Sequence, residues 1–233
     1  MGSATMSQVS GRFHWLRRPP RIEDAGVSFQ PRCDEGQVAQ EWDQMCATNP
    51  RLRDGPCWHV LGVHRDGHGG AVVHVAHTTY RMGAVRERVG TGFVGLGVKA
   101  VAQWQGRFLM GLRSAQCATY PSMWEFAPGG SAEPGEDPAV GIARELAEEC
   151  ALECASPPLP VCIVEDPATR NWEIVHQIDL KQPPDAPPNW EYSALELHPL
   201  AALPADCSPI TAALARIAER VATRRQHPPT GRA

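Results

Sequence analysis

Hydrophobic positions in the first third of the chain change from helical to strand-like spacing. Within "EGQVAQEWDQMCATNP", Val38, Trp42 and Met45 recur every three or four residues, which predicts a helix that ends at the Asn-Pro pair. The next stretch, "CWHVLGVHRDGHGGAVVHVAHTTY", predicts two strands joined by a Gly-rich turn. We therefore expect a small appended α+β unit over residues 34–93. The Arg- and Pro-rich residues 1–33 predict an irregular arm in front of it.

The pattern changes from Gly95 onward, where short apolar runs alternate with turn residues. Six runs predict strands: "GLGVKAVAQW", "RFLMGLRS", "WEFAP", "PVCIVED", "NWEIVHQIDL" and "ALELHPL". Residues 138–150 predict a helix between the third and fourth of these strands. Ser208-Pro209 predicts the start of a last helix, because Ser caps and Pro suits a first turn. We expect a second domain over residues 94–224 and a disordered tail over 225–233.

Composition narrows the functional classes. A chain of 233 residues fits one large domain or a standard domain with an appendage. The net charge of −4 argues against a broad nucleic-acid-binding surface, and no apolar run approaches the length of a membrane span. The eight cysteines include no C-x-x-C pair and are expected to be reduced thiols. We therefore expect a cytoplasmic protein that binds neither nucleic acid nor membrane.

Three carboxylates crowd the helix predicted over residues 138–150. Asp137 is a suitable N-cap, and Glu145, Glu148 and Glu149 fall together on one side of the helix. The like-charged pair of Glu145 and Glu149 costs about 0.2–0.5 kcal/mol, and the helix dipole disfavours negative charge near the C-terminus. A divalent cation such as Mg²⁺ would compensate this repulsion. A solvated acidic face is the alternative that these three residues leave open.

The residues around these carboxylates decide between the two interpretations. The pattern G-x5-E-x7-R-E-U-x-E-E-x-G-U, where U is aliphatic, is matched at eight positions: Gly130, Glu136, Arg144, Glu145, Leu146, Glu148, Glu149 and Leu152. This stretch resembles the signature of the Nudix hydrolases. The preceding "YPSMWEFAPGG" resembles the strand and Gly-Gly turn that lead into the signature in that family. Ala151 departs from the pattern, since Gly is usual at this position.

The resemblance covers about residues 94–222 and implies a Nudix α/β/α sandwich around a mixed sheet, here preceded by the small α+β unit. It also implies that Mg²⁺, with Mn²⁺ as a possible substitute, is bound by the three helix carboxylates and by the carbonyl of Gly129. Glu136 and Arg144 match a pair that forms a salt bridge bracing the loop against the helix. Gly130 is expected to support the same turn.

Further residues are candidates for catalysis or substrate binding. The resemblance gives Glu145, Glu149 and Glu191 catalytic roles, with Glu191 as a base or a further metal ligand; a surface-loop glutamate is the alternative at Glu191. We expect Arg113 to contact phosphate and Trp124 to stack on the substrate, although an exposed arginine and a core tryptophan remain open. Weaker candidates, each with a structural alternative, are Glu165, Glu173, Trp172, His74 and His77.

The substrate is indicated only by short matches. "NPRLRDGP", "HTTYRMGAVRERVGTG" and "LGVKA" resemble the front portion of the UDP-glucose/UDP-galactose pyrophosphatase branch, which also has a small extra domain. This resemblance favours hydrolysis of a nucleoside diphosphate linked to another moiety, with a UDP-sugar first. ADP-ribose, as indicated by Pro167, or a nucleoside triphosphate are alternative substrates. A non-catalytic nucleotide-binding module is a further alternative, and the sequence does not predict the oligomeric state.

Overall fold

The computed structural model describes residues 12–185 and 189–226. The strands in these residues are, in chain order, β1 (Phe13–Trp15), β2 (Arg21–Ser28), β3 (Pro56–Arg65), β4 (Ala71–Thr79), β5 (Leu96–Trp104), β6 (Arg107–Arg113), β7 (Trp124–Phe126), β8 (Gly129–Ser131), β9 (Leu159–Glu165), β10 (Trp172–Asp179) and β11 (Tyr192–His198). The helices are α1 (Glu35–Thr48), α2 (Tyr80–Ala84), α3 (Arg86–Val89), α4 (Pro138–Cys150) and α5 (Thr211–Gln226), with a 3-10 turn at Leu200–Ala202. In this part of the chain, no helix is both long and apolar enough to cross a bilayer.

The larger of two sheets has eight strands and forms the centre of the second domain. Its order is β1-β9-β10-β5-β6-β11, with β8 paired to β5 and β7 to β6. Strand β10 runs parallel to β5 and antiparallel to β9, so the sheet is mixed. Helix α4 packs on one face through Ile142 and Leu146, and α5 packs on the other face through Leu214 and Ile217. This arrangement is the predicted α/β/α sandwich.

The smaller sheet, with strand order β2-β4-β3, belongs to the appended unit. The hairpin of β3 and β4 follows α1, as the apolar pattern predicts, and Asp34 caps α1 by accepting hydrogen bonds from two first-turn N–H groups. Val73 and Val75 of β4 share one buried cluster with Leu96 and Val98 of β5. The appended unit therefore packs directly on the second domain.

The irregular arm predicted for residues 1–33 is wrong where the structure describes it. Strand β1 pairs antiparallel with β9 of the large sheet, and β2 pairs parallel with β4 of the small one. Their pairing partners lie more than forty residues away in sequence, so local composition did not indicate them. Residues 1–11 lie outside the described part of the chain.

Other boundaries also differ from the sequence prediction. The Gly-Gly pair forms strand β8 rather than a turn, because it pairs with β5. The last helix begins at Thr211 and continues to Gln226, two residues into the predicted tail; residues 227–233 are not described. The short helices α2 and α3 were not predicted, since four or five residues show no readable periodicity.

Candidate active site

Helix α4 carries the motif carboxylates and is fixed along its length. The Asp137 side chain accepts a hydrogen bond of 2.8 Å from a first-turn N–H group, which would otherwise lack a partner. Ile142, Leu146 and Cys150 follow at four-residue spacing and are fully buried against the large sheet. This packing turns Glu145 and Glu149 toward the edge of the sheet rather than into open solvent.

Arg144 neutralises carboxylates on both the loop and the helix. Its Nε and Nη2 atoms donate to the two oxygens of Glu136, each at 3.1 Å. Its Nη1 atom donates to Glu145 Oε1 at 3.0 Å and to Glu148 Oε2 at 3.1 Å. Hydrogen bonding to Glu136 is the largest cause that raises the pKa of Arg144 above its ordinary value. The ion pair that the motif implies between Glu136 and Arg144 is therefore present.

Two glycines give these carboxylates their positions. A Cβ atom at Gly130 would lie only 2.5 Å from the carboxyl carbon of Glu145, and one at Gly141 would lie 2.8 Å from Glu136 Oε2. A side chain at either position would displace the facing carboxyl group, so glycine at both positions lets these carboxylates keep their places between helix and loop. Gly129 has the same relation to Lys99, whose Nζ would be 2.6 Å from the added atom.

Glu149 is the most electrostatically perturbed of the three helix carboxylates. Its Oε2 atom is buried, and no group in the described residues hydrogen-bonds to it. Burial raises the pKa of Glu149 well above its ordinary value, and the carboxylates of Glu191 and Glu145 raise it further. Burial also raises the pKa of Glu145 to about 7, against the opposing effect of Arg144. These carboxylates repel one another in a partly dry environment.

Glu191 reaches this cluster from the loop before β11. The Asn189 side chain donates a 2.6 Å hydrogen bond to the carbonyl of Glu149 and accepts one of 2.8 Å from the N–H of Glu191. The loop is thereby tied to the end of α4. Glu191 Oε1 in turn accepts a hydrogen bond from Arg113 Nη1 at 3.3 Å. The structure therefore brings together Glu145, Glu149 and Glu191, which are 46 positions apart in sequence at the extremes.

A buried ionic network lies beside Glu191 and centres on Glu125, which the sequence did not single out. Its two oxygens accept from Lys99 Nζ at 2.7 Å and from Arg113 Nη1 at 2.9 Å, and the Tyr192 hydroxyl adds a bond of 3.1 Å. Burial alone would raise the pKa of Glu125, but Lys99 and Arg113 outweigh it and the pKa lies below its ordinary value. The signal in the sequence was a charged residue in the middle of the apolar "WEF" strand.

The predicted stacking role of Trp124 is wrong in this structure. Side chains alternate along β7, so Glu125 faces the ionic network while Trp124 and Phe126 face the opposite side of the sheet. There Trp124 packs beside α5, with its ring 5.6 Å from that of His198. Arg113 does lie at the site, but its Nε and Nη1 atoms are already hydrogen-bonded within the protein.

A cleft of about 300 Å³ opens between the large sheet and the appended unit. Gly129, Gly130, Arg113 and Glu191 line its end near the carboxylates, and Glu173 lines another part. The appended unit supplies the facing wall, with Trp58, Tyr80, Arg86 and Phe93 among its residues. The two domains therefore form the cleft together, next to the acidic cluster.

Comparison with known proteins places this geometry in a family. The family model of the NUDIX domain matches residues 95–220, which is more than half of the 233-residue chain. The chain belongs to the Nudix family. As a Nudix hydrolase it is an enzyme of the pyrophosphatase class, and the alternative of a non-catalytic module is not supported. No curated protein matches the sequence.

The chain is also similar, at low identity, to solved structures of Nudix hydrolases. A MutT Nudix hydrolase from Burkholderia pseudomallei is 21% identical, covers 52% of this chain and 95% of its own, and has a TM-score of 0.44. A Nudix hydrolase from Nitrosomonas europaea is 22% identical over 60% of this chain and 76% of its own, with a TM-score of 0.47. A UDP-X diphosphatase is 17% identical over 55% of this chain and 64% of its own, with a TM-score of 0.40.

Nudix hydrolases in general use divalent metal ions, and the oxygen donors at this site are of the type that such ions prefer. The fit rests on oxygen donors whose charge is compensated only in part, above all the buried and unpartnered Glu149 Oε2. Within the described residues, however, no three acidic, His or Cys side chains converge as a ready-made metal cluster. Arg144 Nη1 donates to both Glu145 and Glu148 in this arrangement.

The weaker candidates separate clearly in this Nudix hydrolase. Glu165 is paired with Arg12 and Arg170 at a second, smaller cleft, where Trp172 forms a wall. His74 and His77 lie on β4 and contact Glu23 and Asp24 of β2, outside the main cleft. Glu173 lines the main cleft itself.

Proposed function

We propose that this Nudix hydrolase cleaves the diphosphate linkage of a nucleoside diphosphate joined to another moiety, with a UDP-sugar as the favoured substrate. The products would be a nucleoside monophosphate and a sugar phosphate. The observation that carries the proposal is the partly buried cluster of Glu145, Glu149 and Glu191 beside the cleft, because the mutual repulsion of these carboxylates calls for a cation. Mg²⁺ is the proposed cofactor, with Mn²⁺ as a possible substitute.

The proposed metal ligands are the carbonyl of Gly129 and the carboxylates of Glu145, Glu148 and Glu149. When bound, the ion supplies neutralisation of the diphosphate charge and activation of water. Arg144 must then share Glu145 and Glu148 with it, which its remaining bonds to Glu136 allow. The ion pair between Arg144 and Glu136, and the close approach at Gly130, would then still hold the helix against the loop when the metal ion is bound.

Glu191 is our candidate for the general base, with Glu145 as the alternative. Its side chain lines the cleft, and the Asn189 bonds fix the loop that carries it. Arg113 donates to Glu191 and is itself anchored by Glu125. We assign Arg113 this positioning role, in addition to the phosphate contact expected from the sequence.

The UDP-sugar assignment rests on the sequence matches in the appended unit and on the part that this unit takes in the cleft. The segment "HTTYRMGAVRERVGTG", one of those matches, contains the wall residues Tyr80 and Arg86. A branch-specific segment that lines the cleft is well placed to select the substrate. The proposed hydrolase domain remains at 94–224, and the appended unit, proposed at 34–93, also takes in strand β2. A cytoplasmic setting is supported by eight free cysteines.

The function is tested by supplying purified protein and Mg²⁺ with UDP-glucose, UDP-galactose, ADP-ribose and ATP. We expect UMP and sugar phosphate from the UDP-sugars, and a loss of at least 100-fold in turnover for Glu149→Gln. The control is Glu153→Gln, because Glu153 is exposed just beyond the helix and pairs with Lys181. Preferred cleavage of ADP-ribose or ATP would refute the UDP-sugar assignment, and equal turnover by Glu149→Gln would refute the site.

A further inference from the structure

Glu173 is a buried acid in the cleft wall with no role in the chemistry described above. It lies on β10, and only 8% of the residue is exposed. Within residues 12–185 and 189–226 its side chain has no hydrogen-bond or ion-pair partner, although Lys99 is near enough to lower its pKa against the effect of burial. Its oxygens are not among the fully enclosed atoms and face the cleft, so a bound ligand can supply the hydrogen-bond donors that the protein does not.

The basic groups around Glu173 are held by other partners. Lys99 lies two residues from Gly97 on the same face of β5 and so faces the same cleft as Glu173, but its Nζ donates to Glu125 at 2.7 Å. Arg86 Nη1 donates to Asn171 Oδ1 at 2.7 Å, and its Nε contacts Glu87 at 3.2 Å. Neither cation lies within 4 Å of the Glu173 oxygens as an ion-pair partner. Within the described residues neither cation therefore donates to Glu173, and a ligand in the cleft can do so.

Gly97, opposite Glu173 on the neighbouring strand β5, keeps the carboxylate at the cleft surface. A Cβ atom at Gly97 would lie 2.8 Å from the Glu173 carboxyl carbon and 2.9 Å from its Oε1 atom. Any larger residue would displace the acid. The register pairs these two residues directly, so the space beside Gly97 is the space that the carboxylate occupies.

The chemistry of the carboxylate restricts the ligand group. A phosphate offers no hydrogen-bond donor to a carboxylate and is repelled once Glu173 is ionised, so this part of the cleft suits the diphosphate less well than the glycine-lined end. Uracil presents one N–H between two carbonyl oxygens and cannot satisfy both oxygens of a carboxylate. Two neighbouring sugar hydroxyls can each donate to one oxygen. Tyr80, Phe93 and Tyr120 line the same cleft and offer apolar ring surface for the C–H face of a sugar.

We propose that Glu173 is a specificity-determining residue that accepts hydrogen bonds from neighbouring hydroxyls of the sugar moiety attached to the diphosphate. This inference rests on the proposed function. It assigns the sugar to the part of the cleft between β10, β5 and the appended unit, and the diphosphate to the end lined by Gly129, Gly130 and Glu191.

The test compares wild type, Glu173→Leu and Glu173→Gln in hydrolysis of UDP-glucose and of its 2-deoxy and 3-deoxy analogues. We expect deoxygenation at one of these positions to raise the wild-type KM about tenfold, which corresponds to the loss of one hydrogen bond. Glu173→Leu should raise the KM for UDP-glucose at least tenfold, with a smaller change in kcat, and should no longer distinguish the analogue. Inhibition by UMP, which has the ribose but lacks the glucosyl group, should not change.

Three further outcomes separate the explanations. Equal KM values for UDP-glucose in wild type and both Glu173 variants would overturn the proposal, as would weakened inhibition by UMP, which would move Glu173 to the nucleoside. If wild type cleaves no nucleotide sugar, the proposed function fails together with the sugar assignment. The matched control is Glu165→Gln, a buried glutamate on the adjacent strand β9 that lines the other cleft; it should keep the discrimination between UDP-glucose and its analogues.

Discussion

The same isosteric substitution at two buried glutamates of the cleft should change stability in opposite directions. Glu125 has three hydrogen-bonded partners, and Lys99 and Arg113 are two of them. Glu173 has no hydrogen-bond donor in the described residues, and burial raises its pKa despite the opposing charge of Lys99. Glu125→Gln therefore leaves two largely buried cations short of a counter-charge, whereas Glu173→Gln removes an uncompensated acid. Glutamine matches the shape of glutamate, so packing is constant in the comparison.

The expected magnitudes follow from burial and from the pKa values. Breaking a buried ion pair costs about 3–5 kcal/mol, so Glu125→Gln should lower Tm by roughly 10 °C for a chain of this size. Burial raises the pKa of Glu173 from an ordinary 4.5 to about 8. An acid with a raised pKa in the folded state loses stability as pH rises from the ordinary to the raised value. The free energy of unfolding of Glu173→Gln should thus exceed that of wild type by about 3 kcal/mol at pH 7 and by only about 1 kcal/mol at pH 5.

The assay is urea unfolding of wild type and both variants at pH 5, 6, 7 and 8. For Glu173→Gln we expect a gain in the free energy of unfolding that grows with pH. The pKa of Glu125 lies below its ordinary value, so its stabilising contribution is complete across this range. The loss in Glu125→Gln should therefore stay constant. A gain at Glu173 that is independent of pH, or a loss at both positions, would refute the electrostatic account of the cleft.

Three more variants test the elements that position the site, each by thermal or urea unfolding or by kinetics. Ala151→Gly should gain about 0.5–1 kcal/mol, because Ala151 ends α4 in the left-handed conformation with φ of 53°; no gain would contradict the strain assigned there. Asp137→Ala should lower the free energy of unfolding by about 1 kcal/mol, because it removes the N-cap of α4; an unchanged free energy would argue against the cap. Gly97→Ala should raise the KM for UDP-glucose, as Glu173→Leu does, by displacing the carboxylate; an unchanged KM would contradict the packing of Gly97 on Glu173.

The acidic helix was predictable because its information is local. Capping by Asp137, the spacing of Glu145, Glu148 and Glu149 and the pairing of Arg144 with Glu136 all lie within fifteen residues. The same holds for the hairpin of the appended unit, whose apolar runs and Gly-rich turn are contiguous. Short-range periodicity and turn chemistry are sufficient for such elements.

The cleft was not predictable, since its residues come from distant strands. In the sequence, Glu125 was only a residue of a predicted strand and Glu173 only a weak candidate. The pairing of β6 with β7 and of β5 with β10 is what brings them near Lys99. Trp124 faces away from the cleft because successive strand residues point to opposite faces of the sheet, and the neighbouring Glu125 is the one that faces the site. The arm strands β1 and β2 were missed for the same reason, as their partners are remote.

Binding of Mn²⁺ measured by titration calorimetry tests the central claim most directly. Wild type in the presence of UMP should take up the ion in a saturable manner, Glu149→Gln should bind it at least tenfold more weakly, and Glu153→Gln should bind it as wild type does. Circular dichroism would confirm that each variant is folded. Absence of saturable uptake by folded wild type, or equal affinity of the Glu149 variant, would contradict the assignment of this carboxylate cluster as a metal site.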